Sequence, residues 1–453
     1  MFQPLHQEWI LALLQTKLGV TETRPLDYSK PVSRVVQVFE LLLVLGLCAV
    51  LGFGPLALGA VQPWAICVLE VISSLLVLLW FLRELATGRF HILPNPLYLP
   101  MVLFAIIVII QLLFHLTAYW YVTWSKAMLW TAYAGLLFSV SQTLTKKIWL
   151  QTFGLFCSGY GFLLSLFAII QQFTWNGKIY WIIPNRHGGW VYGPYVNHAH
   201  YAGLMEMLVP FPLILGITEG LRRPLRAFLL FAAIVMSSTI FLSQSVGGMI
   251  AFASELSVLV LVLFQDKRPY REIALLGVIC SVLIGWLIWL RPMGLMERLA
   301  RLLNPISDAG TTGRVAIIKD SLKMVVQRPV LGWGLGTFSV VYPSFRSFYS
   351  IFWVNEAHND LVQMLVECGI LGFILMFIFL FLLCSNGFRN GRHWRDDSKS
   401  SMILAAVIGC VGMMVHSLFD FNLQIPANAA FFFTLAALAV TDSYKRKPEA
   451  QTP

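Results

Sequence analysis

The chain has 453 residues, 58% of them hydrophobic and only 12% charged, whereas soluble domains run to about half apolar and about a quarter charged. That composition excludes a soluble globular domain, and apolar runs reaching the ~20 residues needed to cross a bilayer imply helices rather than barrel strands. A net charge of +10 would suggest nucleic acid in a soluble protein; in a membrane protein Lys and Arg collect in cytoplasmic loops, so no nucleic-acid partner is expected.

Residues 1–35 include Gln3, His6, Gln7, Glu8 and Lys17 and lack a long apolar core. A cytoplasmic segment, not a cleaved signal peptide, is expected there. Twelve spans are then predicted, near 36–56, 63–82, 97–117, 127–144, 148–173, 199–218, 227–243, 247–264, 273–290, 358–384, 401–418 and 427–441. The organisation is thus nine membrane helices over 36–290, a long outer loop over 291–357, three more helices over 358–441 and a cytoplasmic tail over 442–453. With the N-terminus inside, 21 of the 32 Lys and Arg fall on the cytoplasmic side and 11 outside. The short outer loops are nearly free of positive charge, as the positive-inside rule requires, and the 67-residue loop is long enough to escape it. The seven cysteines each lie in or at the end of a span, and none shares a loop with another, so neither disulfides nor a zinc cluster is expected.

The first third carries little chemistry. Glu40 and Glu70 sit inside predicted spans and read as structural hydrogen-bonding groups. Tyr119, Trp120, Tyr121 and Trp124 read as an interfacial aromatic belt. The outer loop over 174–198 is richer, with Asn185-Arg186-His187-Gly188-Gly189-Trp190 followed by Gly193-Pro194-Tyr195-Val196-Asn197-His198-Ala199-His200. Its glycines and Pro194 make it irregular, which leaves backbone donors for a ligand. His198 and His200 are close in sequence, but no third ligand accompanies them, so no metal is expected.

The long loop has a net charge of +4 and is predicted to form two amphipathic helices, near 294–303 and 313–327. In the second, Val315, Ile318, Leu322 and Val325 repeat at helical spacing as one apolar stripe, with Arg314 at its edge and its head free. Lys319 and Lys323 leave that stripe and read as a solvated or headgroup-facing side. Gly332-Trp333-Gly334-Leu335-Gly336 reads as a tight turn, with a backbone nest for phosphate as the sharper alternative. The loop ends in Glu356-Ala357-His358-Asn359, where the chain re-enters a hydrophobic run. A histidine at a helix mouth behind a cationic loop suits proton transfer next to an anionic substrate. Glu367, about 13 Å deeper along the helix, reads as structural.

The order Gly313-Arg314, Pro329-x-x-Gly332-x-Gly334-x-x-x-Phe338, His358-Asn359 and Gly369-x-x-Gly372 resembles the signature of the bacterial O-antigen ligase and polymerase superfamily. Weaker echoes lie at Gly193–Ala202 and His416–Pro426. The resemblance implies an all-α, polytopic glycosyltransferase of the bacterial inner membrane, with its site facing the periplasm. Its donor would be an undecaprenyl-diphosphate-linked glycan, and its acceptor a sugar hydroxyl on lipid A-core or on a growing chain. Polymerase and protein O-oligosaccharyltransferase are the enzymatic alternatives, and a small-anion transporter is the rival from another class.

On this reading His358 is the base and Asn359 fixes a hydroxyl or the imidazole. Arg314 and Arg186 hold the diphosphate, with Arg291 and Arg346 behind them, because a guanidinium fork can meet phosphate oxygens in pairs. Asn197 and His200 match the family's mid-chain element as substrate contacts. Asp420 either pairs with an arginine, orients His358 or serves only at a helix boundary. The outer acids are scattered, so no metal or other cofactor is expected. Val246 stands where family members often carry an arginine before Gly247-Gly248, and Arg186 is the candidate to replace it.

Overall fold

The computed structural model describes residues 34–88, 90–185, 191–218, 221–265, 270–290, 309–349 and 353–441. Among these the chain is almost wholly helical. Helices α1 (Arg34–Leu56), α2 (Pro63–Thr87), α3 (Tyr98–Leu113), α4 (Trp120–Thr143) and α5 (Lys147–Phe173) come first. A two-residue hairpin, β1 (Lys178–Ile179) with β2 (Ile183–Pro184), precedes α6 (His198–Leu208) and α7 (Pro210–Ile217). Then follow α8 (Arg223–Leu242), α9 (Val246–Phe264), α10 (Tyr270–Leu290), α11 (Ala309–Gln327) and the short α12 (Phe338–Val341). The last three are α13 (Asp360–Asn390), α14 (Ser398–His416) and α15 (Pro426–Val440).

Among the described residues nine helices are long and apolar enough to cross a membrane, with α6 and α7 counted as one span. Helices α3 and α15 are shorter apolar helices. The protein is therefore an all-α polytopic membrane protein. Helices α15 and α6–α7 are buried along nearly their whole length, and α14 along most of its. These elements form the centre. Peripheral helices turn apolar side chains outward instead, as Val278, Val282, Ile284 and Ile288 of α10 do, which is the surface a hydrocarbon solvent selects. Glu40, inside α1, is ion-paired with Lys146 at 2.6 Å, so its role is structural.

Helix α11 corrects the expected stripe. Its packed face is Ile317, Asp320, Ser321 and Met324, whereas Val315 and Leu322 are exposed. Ile317 and Met324 join Phe338, Val341, Tyr342, Ala357 and Val366 in a small core that seats the loop on α13. The polar Asp320 can be inside because it accepts from Ser347 N at 2.8 Å, Ser347 Oγ at 2.9 Å and Lys323 Nζ at 2.8 Å. Burial opposes its ionisation, but those bonds and the Lys323 charge win and hold its carboxyl below the ordinary range. Lys323 is thus an ion-pair partner rather than only part of a solvated face. The first amphipathic helix expected in the loop lies outside the described residues.

A break inside α13 seats the glycine loop. Gly369 has φ 63° and ψ −166° in the middle of the helix, a conformation open essentially to glycine alone. The break frees backbone groups that the loop takes up. Trp333 N donates to Val366 O at 2.9 Å, Gly334 N to Glu367 O at 2.9 Å, and Ile370 N to Pro329 O at 2.8 Å. Gln111 of α3 locks the joint, donating to Leu331 O at 2.7 Å and to Glu367 O at 2.9 Å.

Candidate active site

His358 is the last residue before the mouth of α13, and its backbone is left-handed at φ 53°. Its neighbours hold it there. Asn359 caps α13, its Oδ1 accepting from Leu361 N and Val362 N at 3.0 Å each, while its Nδ2 donates to Leu418 O at 2.9 Å. Asp360 donates its N–H to Ser417 O at 2.9 Å and accepts from Leu423 N at 3.1 Å. The turn between α14 and α15 is thereby sewn to the start of α13.

That turn carries Asp420, whose Oδ1 lies 3.3 Å from His358 Nδ1. Arg314 reaches the same turn, its Nη1 donating to Phe419 O at 3.1 Å. Its head is thus partly engaged rather than free, although the side chain remains exposed. The Asp420 carboxyl is buried, which would raise it. The hydrogen bond with His358 and the charges of His200, Arg314 and His358 overturn that and hold it far below the ordinary carboxylate range. Asp420 therefore sits beside the histidine as a fixed anion. Of the partners expected for it, His358 is the direct contact, and Arg314 meets the neighbouring carbonyl instead.

His200 approaches from α6. Its ring meets Phe421 edge-on at 4.8 Å, and the His358 ring packs edge-on against the same Phe421 at 4.9 Å. It is 4% exposed and its Nε2 has no hydrogen-bond partner. Asn197 caps α6, its Oδ1 accepting from Ala199 N at 2.9 Å, which commits that oxygen to the helix end. The fold thus gathers His358, Asn359, Asp420, Arg314 and His200 around one turn. Arg186 and Arg291 lie outside the described residues.

The glycine loop is not an open phosphate nest. Its Gly336 N–H already donates to Glu367 Oε2 at 2.7 Å, and Phe338 N to Glu367 Oε1 at 3.4 Å. Glu367 is structural, as its depth suggested, but its task is to hold this loop. Three groups were missed in the sequence. Gln111 and Gln363 have no spacing signature, because an amide inside a helix reads as neutral filler. Glu206 could have been found, since a carboxylate within a span is a candidate by default; it pairs with buried His416, Nδ1 to Oε1 at 2.9 Å. Among the described residues no three His, Cys, Asp or Glu side chains converge as a metal site.

A family model described as O-antigen ligase matches residues 231–377. The matched stretch holds Val246-Gly247-Gly248, Arg314, the glycine loop and His358, while His200 and Asp420 lie on either side of it. A search of curated proteins found no match.

Proposed function

We infer from this O-antigen ligase domain that the chain is a membrane glycosyltransferase of the O-antigen ligase and polymerase superfamily, moving a glycan from an undecaprenyl-diphosphate carrier to a sugar hydroxyl. The family match supports ligase-type activity in general. The observation that carries the finer reading is the His358–Asp420 pair at 3.3 Å, with Arg314 bound to the same turn.

If Nδ1 of His358 donates to Asp420, Nε2 is the free acceptor. It takes the proton of the acceptor hydroxyl as that oxygen bonds to the anomeric carbon of the donor sugar. The bond from that carbon to the diphosphate oxygen breaks, and the leaving diphosphate carries the electron pair away. Arg314 stabilises the charge that develops there, without a metal ion. An apolar cavity between α3, α4, α13, α14 and α15 opens beside Asp360, Ser417 and Gln424, and its lining of Pro100, Phe104, Met364, Leu375, Phe379 and Phe433 suits a polyprenyl tail. The acceptor, a sugar hydroxyl on lipid A-core or on a growing chain, arrives from the periplasmic side of the bacterial inner membrane.

The test is transfer by purified, folded variants. His358→Ala loses transfer by ~10²–10⁴-fold yet binds donor. His358→Gln is nearly as poor, because an amide keeps a hydrogen bond but cannot take the proton. Arg314→Lys keeps the charge and loses the fork, so donor turnover falls. Near-normal turnover by His358→Gln would leave the histidine with only a structural task and end this mechanism.

A further inference from the structure

Behind His358 lies a polar cluster that the transfer chemistry does not use. Gln363, one turn into α13, donates from Nε2 to Glu356 Oε2 and, at 2.8 Å, to Glu367 Oε1. Its Oε1 accepts the Ala357 N–H at 2.7 Å. Glu367 in turn holds Gly336 and Phe338 of the glycine loop. One amide side chain therefore joins the residue before His358, the acid two before it, and the loop seated in the α13 break. His358 needs such support. A non-glycine residue held at φ 53° is strained and persists only where its surroundings over-determine it. Asn359 fixes one side of that residue, and Gln363 fixes the other.

We propose that Gln363 is a positioning residue for His358, and that its brace is complete only while Glu356 is a neutral acid. The reason is electrostatic. One amide nitrogen offers a single hydrogen to each of two carboxyl groups, and two ionised carboxylates on one nitrogen repel each other. The charged groups that face Glu356 are Lys126 from α4 and Glu367 and Asp360 from α13. Burial, then Glu367 and Asp360, push the Glu356 carboxyl up to about 8, with Lys126 and the Gln363 hydrogen bond pulling the other way. Below that pH Glu356 keeps its proton and the brace holds. Above it the brace loosens, and the left-handed turn at His358 loses one of its two supports.

This inference rests on His358 as the base, so its test has an arm that needs no transfer. Glu356→Gln keeps the shape and an acceptor oxygen and cannot ionise. In thermal denaturation of purified protein, the folded chain holds a proton that the unfolded chain releases. Wild-type Tm therefore falls from the usual carboxylate range up to about 8 and levels off above it, relative to Glu356→Gln. In transfer assays, wild-type rate falls by about tenfold as pH rises through that value and then levels off, and the Glu356→Gln profile lacks this alkaline step. Gln363→Leu lowers kcat by about tenfold or more at unchanged donor KM, because the imidazole is misplaced and not removed. Parallel Tm curves for wild type and Glu356→Gln, or wild-type kcat in a folded Gln363→Leu, would overturn the proposal. Wild-type protein that transfers no glycan counts against the reaction, while the Tm comparison still decides the brace.

Discussion

In the proposed mechanism, the 3.3 Å contact between His358 Nδ1 and Asp420 Oδ1 decides which imidazole nitrogen faces the substrate. Asp420 is well placed for that because its carboxyl is held far below the ordinary range despite burial, by the His358 bond and the charges of His200 and Arg314. The sign follows: its stabilising effect is present above the usual carboxylate range and is lost only in strong acid. Asp420 therefore stays an anion at any pH where transfer would be assayed. Asp420→Asn keeps the size and removes the charge that selects the tautomer, so the transfer rate falls by ~10²-fold or more with donor affinity kept. A folded Asp420→Asn enzyme with wild-type kcat would show that the pairing is incidental. At this scale His358, Asn359 and Asp420 were already candidates in the sequence, through the motifs that carry its resemblance to the superfamily. Gln363 was not, because its importance lies in three partners that only folding assembles.

At the scale of elements, the break in α13 organises the loop. A Cβ on Gly369 would lie 2.3 Å from Val330 O and 2.4 Å from Val330 C, and one on Gly332 would meet Glu367 O at 2.5 Å. Both contacts are with backbone, so neither can swing aside. Gly369→Ala adds that clash to a backbone conformation worth about 1–3 kcal/mol of strain for a non-glycine residue. It should lower the Tm by several degrees and weaken transfer together, through loss of the Trp333, Gly334 and Ile370 backbone bonds. A Gly369→Ala protein with wild-type Tm would mean that the loop does not depend on the break. The Gly-x-Gly and Gly-x-x-Gly pattern was visible in the sequence. Its meaning, one glycine stretch docking into a helix interrupted at another, was not.

At the scale of the whole molecule, the chain places its site chemistry at one end of a bundle whose centre is α6–α7, α14 and α15. Those helices bring His200, His416 and the Asp420 turn from distant parts of the sequence to the mouth of α13. The charge split of 21 against 11 Lys and Arg fixes an expected orientation. Reporter fusions after Arg268 and after Arg395 should read as cytoplasmic, and one near Asp308 as external. A cytoplasmic signal at Asp308 would put the site on the wrong face for a periplasmic acceptor.

The sequence alone determined the class, an all-α polytopic membrane protein, because hydropathy acts locally along the chain. It expected twelve spans, whereas nine of the described helices are long and apolar enough to cross a membrane. It placed the apolar stripe of α11 on the wrong face, since helical spacing identifies a stripe but not which neighbour covers it. It left Glu356 among scattered outer acids and Glu367 as a separate structural residue, and the fold joins the two through Gln363. Only the tertiary structure could decide those points. A side chain's partners across a helix break, and the burial that sets its charge, depend on segments that lie next to each other in space and far apart in sequence.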